Sequence, residues 1–337
     1  MTEFYEQVKE RLMRYARINT ESNPHSTSVP TTSCQHDLAS AIYEELQKIG
    51  ATNVYYDKDT CVVYGSLEAN VKTGRAIGFV THMDTAPDAS GKDVKPWVLE
   101  NYDGKDIVLN AEKDIVMSPS VFPNLKQYIG QDLVLTDGTT LLGGDDKASI
   151  AAVMTLLEYL VKHPEIKHNF ISVAFTPDEE VSGLAKDLDL ERFKSPIAYT
   201  LDGDHLGYYM DETFNASLST IEIHGISVHT ATAKGIMKNA VDIGNAFLNK
   251  LPALEKPQYT QGREGFYHVV SFNGDCEYAK IEINVRDHDS LQFDIRNNTL
   301  KMIVDMLNEE YGQGTVNITQ RIQYRNLKEV IDILEAM

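Results

Sequence analysis

The stretch AIGFVTHMDT, residues 76–85, runs from an unbroken apolar segment straight into a histidine and an aspartate. Residues 76–80 read as a buried β-strand whose side chains emerge where His82 and Asp84 stand. The same transition recurs along the chain. Apolar residues 170–175 lead into TPDEE at 176–180, residues 197–201 lead into TLDGD at 200–204, and GGDDKA at 143–148 opens a helix. Strands that end in acids suggest an open α/β sheet with its site in the crevice beyond the carboxyl edge. One imidazole and several carboxylates converging there are a donor set for a divalent metal, zinc in particular.

Outward from these segments, helical and strand patterns alternate up to about residue 205. Phe4, Val8, Leu12 and Tyr15 fall on one face of an N-terminal amphipathic helix, and a second helix spans 38–46. Strands are expected at 52–56 and 61–64. Apolar residues Ile150, Val153, Met154, Leu157, Leu160 and Val161 recur at three and four residues, and Pro164 stops that helix. Residues 83–140, rich in Asp, Pro, Gly and Ser, are too long for a plain connection and are expected to carry small strands of their own. From about 213 the pattern changes to alternating strands at 218–226 and 279–285, helices at 239–251 and 290–311, and a closing strand at 316–324. This predicts a mostly parallel α/β domain over 1–212 and a smaller α+β domain over 213–325. Leu327, Val330, Ile331 and Leu334 predict one more helix within 326–337.

A chain of 337 residues is long enough for two cores. Its 31 basic against 50 acidic residues leave a net charge of −19, which argues against nucleic acid or an anionic membrane as partner. The charged N-terminus has no signal-peptide pattern. Cys34, Cys61 and Cys276 are odd in number, widely spaced and without a CxxC, so a reducing compartment, the cytoplasm, is expected.

Each motif residue has an ordinary structural reading beside the chemical one. His82 is either a satisfied core histidine or a ligand, with Asp84 placed to accept its second ring proton. Asp145 or Asp146 suits a helix cap, and Asp202 suits a DG turn. Glu179 and Glu180 follow a buried strand directly, where a charge needs a partner, and their side chains diverge at a turn. One could bind metal while the other accepts a proton from activated water.

Beyond the acids, GFVTHMDTAPDASGKDVKP, VFPNLKQYIGQDLVLTDGTTLLGGDDKA, VAFTPDEEV, AYTLDGD, EGFYHVVSFNG and VRDHD carry a wider likeness. The chain resembles the co-catalytic zinc peptidase family that contains carboxypeptidase G, carnosinase and succinyl-diaminopimelate desuccinylase, and within it the tripeptide-aminopeptidase branch. The resemblance runs from the first helix to about residue 325. It implies two zinc ions per subunit, with His82, Asp145 and Asp202 on one and Asp145 bridging to a second that Glu180 also holds. It further implies that Asp84 orients His82 and that Glu179 is the general base. The smaller domain becomes a lid and homodimerisation element whose histidine, His229, reaches the active site of the partner subunit, where a tripeptide substrate binds. Read as a residue in its own right, Arg286 in VRDHD suits a substrate carboxylate through the bidentate fork of its guanidinium. An alternative for Arg286 is a salt bridge to Asp287 or Asp289.

Two departures stand out. At the lid turn the family's HPGTAKG reads HTATAKG at 229–235 here. The family's final zinc-ligand histidine lies in a catalytic segment after the lid, whereas the last histidine here is His288. The second zinc site is therefore expected to be incomplete and the activity low, unless His205 or His229 substitutes. Rival readings are another amidase of the family, of desuccinylase or carboxypeptidase type, and a non-catalytic dimeric remnant.

Overall fold

The computed structural model describes residues 2–72, 74–182, 188–203 and 206–335. The chain divides into two units, Met1–Leu206 and Gly207–Met337.

The first unit opens with helices α1 (Thr2–Ala16) and α2 (Gln35–Ile49), the hairpin β1 (Thr52–Asp57) and β2 (Val62–Leu67), and strand β3 (Ile77–His82). Helix α2 buries Leu38, Ala39, Ile42 and Leu46, a single stripe, and ends where Gly50 takes the left-handed conformation and its N–H meets the Leu46 and Gln47 carbonyls. The excursion that follows holds β4 (Trp97–Leu99), β5 (Ile107–Asn110), β6 (Ile115–Met117) and β7 (Leu133–Leu135). These pair as β4 with β7 and β5 with β6, around a core of their own formed by Tyr102, Ile107 and Leu135.

Helix α3 (Gly144–Lys162), β8 (Ile171–Thr176), the short α4 (Glu179–Ser182) and α5 (Leu190–Phe193), and β9 (Ala198–Thr200) complete the unit. The central sheet has the order β1-β2-β8-β3-β9. Strand β3 is parallel to both β8 and β9, while β2 is antiparallel to β8 and to β1. The sheet is therefore mixed, with β2 alone running against the other strands. Every residue of β2 and β8 is buried, because both faces are covered. On one face the core joins Tyr15, the α2 stripe and Ile150, Val153, Met154 and Leu157 of α3, and on the other Phe193 of α5 packs against Val62, Tyr64 and Ala174.

The second unit contains β10 (Asn215–His224), α6 (Ala240–Asn249), β11 (Phe266–Gly274), β12 (Tyr278–Asp287), α7 (Ser290–Tyr311), β13 (Val316–Tyr324) and α8 (Lys328–Glu335). Its four-stranded sheet is antiparallel throughout, in the order β11-β12-β10-β13. Alternate residues of β12, Ala279, Ile281, Ile283 and Val285, are fully buried against Phe247 of α6 and Phe293, Leu300 and Leu307 of α7.

Candidate metal centre

In the first unit three parallel strands end side by side. The β3–β8 register sets His82 opposite Thr176, and Thr200 ends β9 opposite Val80. The THMDT, TPDEE and TLDGD motifs then leave the sheet at nearly one level, while GGDDKA comes to them from the start of α3.

His82 is buried and both ring nitrogens are engaged. Nδ1 lies 3.1 Å from the Asp84 carbonyl oxygen and 3.3 Å from its carboxylate. Nε2 faces Asp145 at 2.9 Å and Asp202 at 3.9 Å. Ligand atoms of His82, Asp145 and Asp202 all lie within 4.8 Å of one another, and this is the cluster of metal-ligating type found among the described residues. Glu179 and Glu180, the first residues of α4, stand outside that group. Their charges are nevertheless felt there, since Glu179 acts on His82 and Asp145 acts on Glu180. Asp204 and His205 lie outside the described residues.

Helix α3 corrects one expectation. Its N-cap is Gly143, in the left-handed region with φ 73°, and neither aspartate caps it. Asp145 and Asp146 depart from helical geometry, which sends the first to the His82 ring and lets the second accept the His82 backbone N–H at 3.1 Å. A Cβ at position 143 would stand 3.1 Å from the Thr85 methyl and 3.3 Å from Lys147 Nζ, so this tight turn suits glycine on both counts.

Asp84 has more to do than the sequence indicated. Fully buried, its two carboxylate oxygens accept the backbone N–H groups of Glu179 at 2.9 Å and Glu180 at 3.2 Å. It thus joins the histidine to the acidic turn. Lys147 is also buried. Its Nζ donates to the Ile18 carbonyl at 2.8 Å, and burial pushes its pKa down to about 8. Nothing in residue type or spacing marks either contact, because each closes over a long stretch of chain.

The electrostatics fit a cation. Burial opposes charge on His82, but the Asp84 hydrogen bond and the negative charges of Asp84, Asp146 and Glu179 outweigh it and raise its pKa to about 10. Burial raises Asp146 to about 7 against the opposing Ser149 hydrogen bond, and it raises Glu179 and Glu180, which neighbouring acids push further. Carboxylates that hold a proton on the imidazole in this way would equally hold a divalent cation in its stead.

The other two expected site residues belong to the second unit. His229 is exposed and its Nδ1 accepts the Ala231 N–H at 3.2 Å, capping the short turn Thr230–Thr232. Arg286 corrects a second expectation, for it pairs with neither Asp287 nor Asp289. Asp287 binds Arg296 at 2.7 Å and Asp289 caps α7 through the Gln292 N–H. The Arg286 guanidinium instead donates to Gln323 at 2.9 Å and lies over the neighbouring Phe214 and Tyr324 rings, 5.3 and 5.8 Å from their centroids.

Comparison with known proteins decides the family. Over 328 residues, 97% of this chain and 80% of the relative, the sequence is 46% identical to a protein named peptidase T from Clostridium novyi. This chain belongs to the peptidase T family. Residues 212–315 also match the family of the peptidase dimerisation domain. Among solved structures, this peptidase T family member is similar to aminopeptidase PepT from Bacillus cereus, with TM-score 0.74 and 19% identity over 98% of this chain and 80% of that one. It is also similar to a dinuclear metal-binding peptidase of the M20 family from Bacillus subtilis, with TM-score 0.59 and 10% identity over 97% and 76% of the two chains. At such identities the structural likeness speaks for the shared two-domain fold. Within the peptidase T family member itself, no helix among the described residues is long and apolar enough to cross a membrane.

Proposed function

We propose that this chain is a metal-dependent aminopeptidase that releases the N-terminal residue of tripeptides. The observation that carries the reading is the imidazole of His82 facing Asp145 and Asp202 at the carboxyl edge of the sheet, in a chain 46% identical to a peptidase T. In this reading His82, Asp145 and Asp202 hold one divalent ion, zinc by the nature of the donors, and Asp145 and Glu180 are this chain's contribution to a second. Such an ion supplies Lewis acidity, activating water and polarising the scissile carbonyl. Asp84 keeps a hydrogen bond on Nδ1 of His82 so that Nε2 points into the site. Glu179, raised in pKa by burial and by the acids around it, accepts the proton of the attacking water and returns it to the leaving amine.

Substrate contact is assigned to His229 and Arg286. No carboxylate among the described residues pairs with Arg286, so its planar fork suits the C-terminal carboxylate of a peptide. A homodimer through the domain at 212–315 accompanies the reading.

The test is a substrate panel with added zinc. Tripeptides with a free amino group are expected to be hydrolysed, and Glu179→Gln to lower kcat by about a hundredfold or more. Turnover confined to N-acyl amino acids would favour the amidase alternative.

A further inference from the structure

The acidic turn is gripped from two sides, and only one grip belongs to the site just described. Asp84 holds the N–H groups of Glu179 and Glu180. The preceding residue, Asp178, is buried with φ 60°, in the left-handed region that a non-glycine residue occupies only when its surroundings hold it. Those surroundings come from the segment at the start of α2. Gln35, fully buried, donates its side-chain N–H to the Asp178 carboxylate at 2.7 Å and accepts the Asp178 backbone N–H at 3.2 Å. Thr31 adds its backbone N–H, 2.8 Å from the same carboxylate, and its hydroxyl. The Gln35 carboxamide therefore satisfies both the side chain and the main chain of one residue, a reciprocal pairing that fixes the direction in which the chain enters α4.

We propose that Gln35 and Thr31 are positioning residues for the Glu179–Glu180 pair, acting through Asp178 as the second jaw of a clamp whose first jaw is Asp84. The proposal rests on the reading of Glu179 as proton acceptor and Glu180 as ligand. With the outer jaw removed, Asp178 relaxes toward ordinary backbone angles and both glutamates swing relative to the His82 cluster. A shift of about 1 Å in a reacting group costs on the order of a hundredfold in rate.

The experiment compares the parent with Gln35→Leu, which keeps bulk and removes the carboxamide, and Thr31→Val, which removes the hydroxyl and keeps the backbone N–H. Amide hydrogen exchange is followed in the peptide at 176–182 of the metal-free chain, and kcat and KM are measured on a tripeptide with zinc. Gln35→Leu is expected to speed exchange in that peptide about tenfold or more without altering the peptides of β10 or β12. It should lower kcat about tenfold to a hundredfold with KM within about twofold of the parent. Thr31→Val should show the same pattern more weakly, and it carries the test alone if Gln35→Leu does not fold. Parental exchange at 176–182 in the folded variants overturns the proposal, as does faster exchange with unchanged kcat. The exchange readout needs no turnover, so a chain in which Glu179→Gln leaves activity untouched would refute the role of Glu179 while the clamp is still judged on its own.

Discussion

At the scale of single residues, two adjacent glutamates are expected to behave differently on substitution. Glu179→Gln should lower kcat by about a hundredfold or more and leave the zinc content after dialysis at the parent's level, whereas Glu180→Gln should lower the metal content itself. Equal metal loss in both, measured by elemental analysis, would mean the pair has been assigned wrongly. Asp84→Asn keeps the shape of its side chain but removes the charge beside Nδ1 of His82 and sets an amide group against two backbone donors. Zinc affinity, read by chelator competition, should weaken about tenfold to a hundredfold. Much of this geometry was legible in residue type and spacing, because a histidine or an acid placed just after a buried strand has few other places to go. The double duty of Asp84 was not legible, since a carboxylate's second set of partners 95 residues away leaves no mark near it in the chain. The cap reading of Asp145 and Asp146 failed for a related reason. A pair of acids at a helix start satisfies the helix dipole equally well whether its oxygens turn to the helix or to a histidine.

At the scale of elements, helices α1, α2 and α3 are tied by a polar knot. Arg11 donates to Glu45 at 2.9 Å and to the buried Thr155 hydroxyl at 2.8 Å and pairs with Glu158, while Tyr15 donates to Glu45 at 2.6 Å. Burial works to raise the Glu45 pKa, but the hydrogen bonds from Tyr15, Arg14 and Arg11 outweigh it and lower the value below its ordinary 4.5. A folded-state value below the unfolded one adds stability that is fully present above about pH 4.5 and is lost as the pH falls through the depressed value. Glu45→Gln should therefore cost on the order of 2 kcal/mol at neutral pH and flatten the acid limb of the stability curve, as measured by urea unfolding across pH. Leu157→Ala in α3, a fully buried position, should cost about 2–5 kcal/mol by the same measurement. The elements themselves were largely legible. The stripe of α3 and the span of α7 follow from periodicity and punctuation alone, whereas the length of the 83–140 excursion announced only that it carries small strands, and neither their bounds nor their pairing could be read there. Strand order was not, because the place of β2 between β1 and β8 is decided by which faces the helices cover.

At the scale of the molecule, the two largest cores share no residue, one built on β2, β8 and α3 and the other on β10, β12 and α7. Two calorimetric transitions are expected, and cavity variants should sort between them, Leu157→Ala lowering one and Phe293→Ala the other. A single transition moved equally by both would show that the units unfold as one. The parallel pairing of β3 with β8 has a kinetic consequence. His82 and Thr176 stand opposite each other, yet the excursion and all of α3 lie between them in the chain, so that whole length must be closed into a loop before the strand ends meet. The hairpin of β1 and β2 and the helices need no such closure and can form early. During refolding, helical signal should therefore rise well before any histidine–carboxylate cluster exists to capture an ion. Zinc supplied from the start should leave the early rate unchanged and slow only the later unfolding, making the ion a latch fastened after the door has shut.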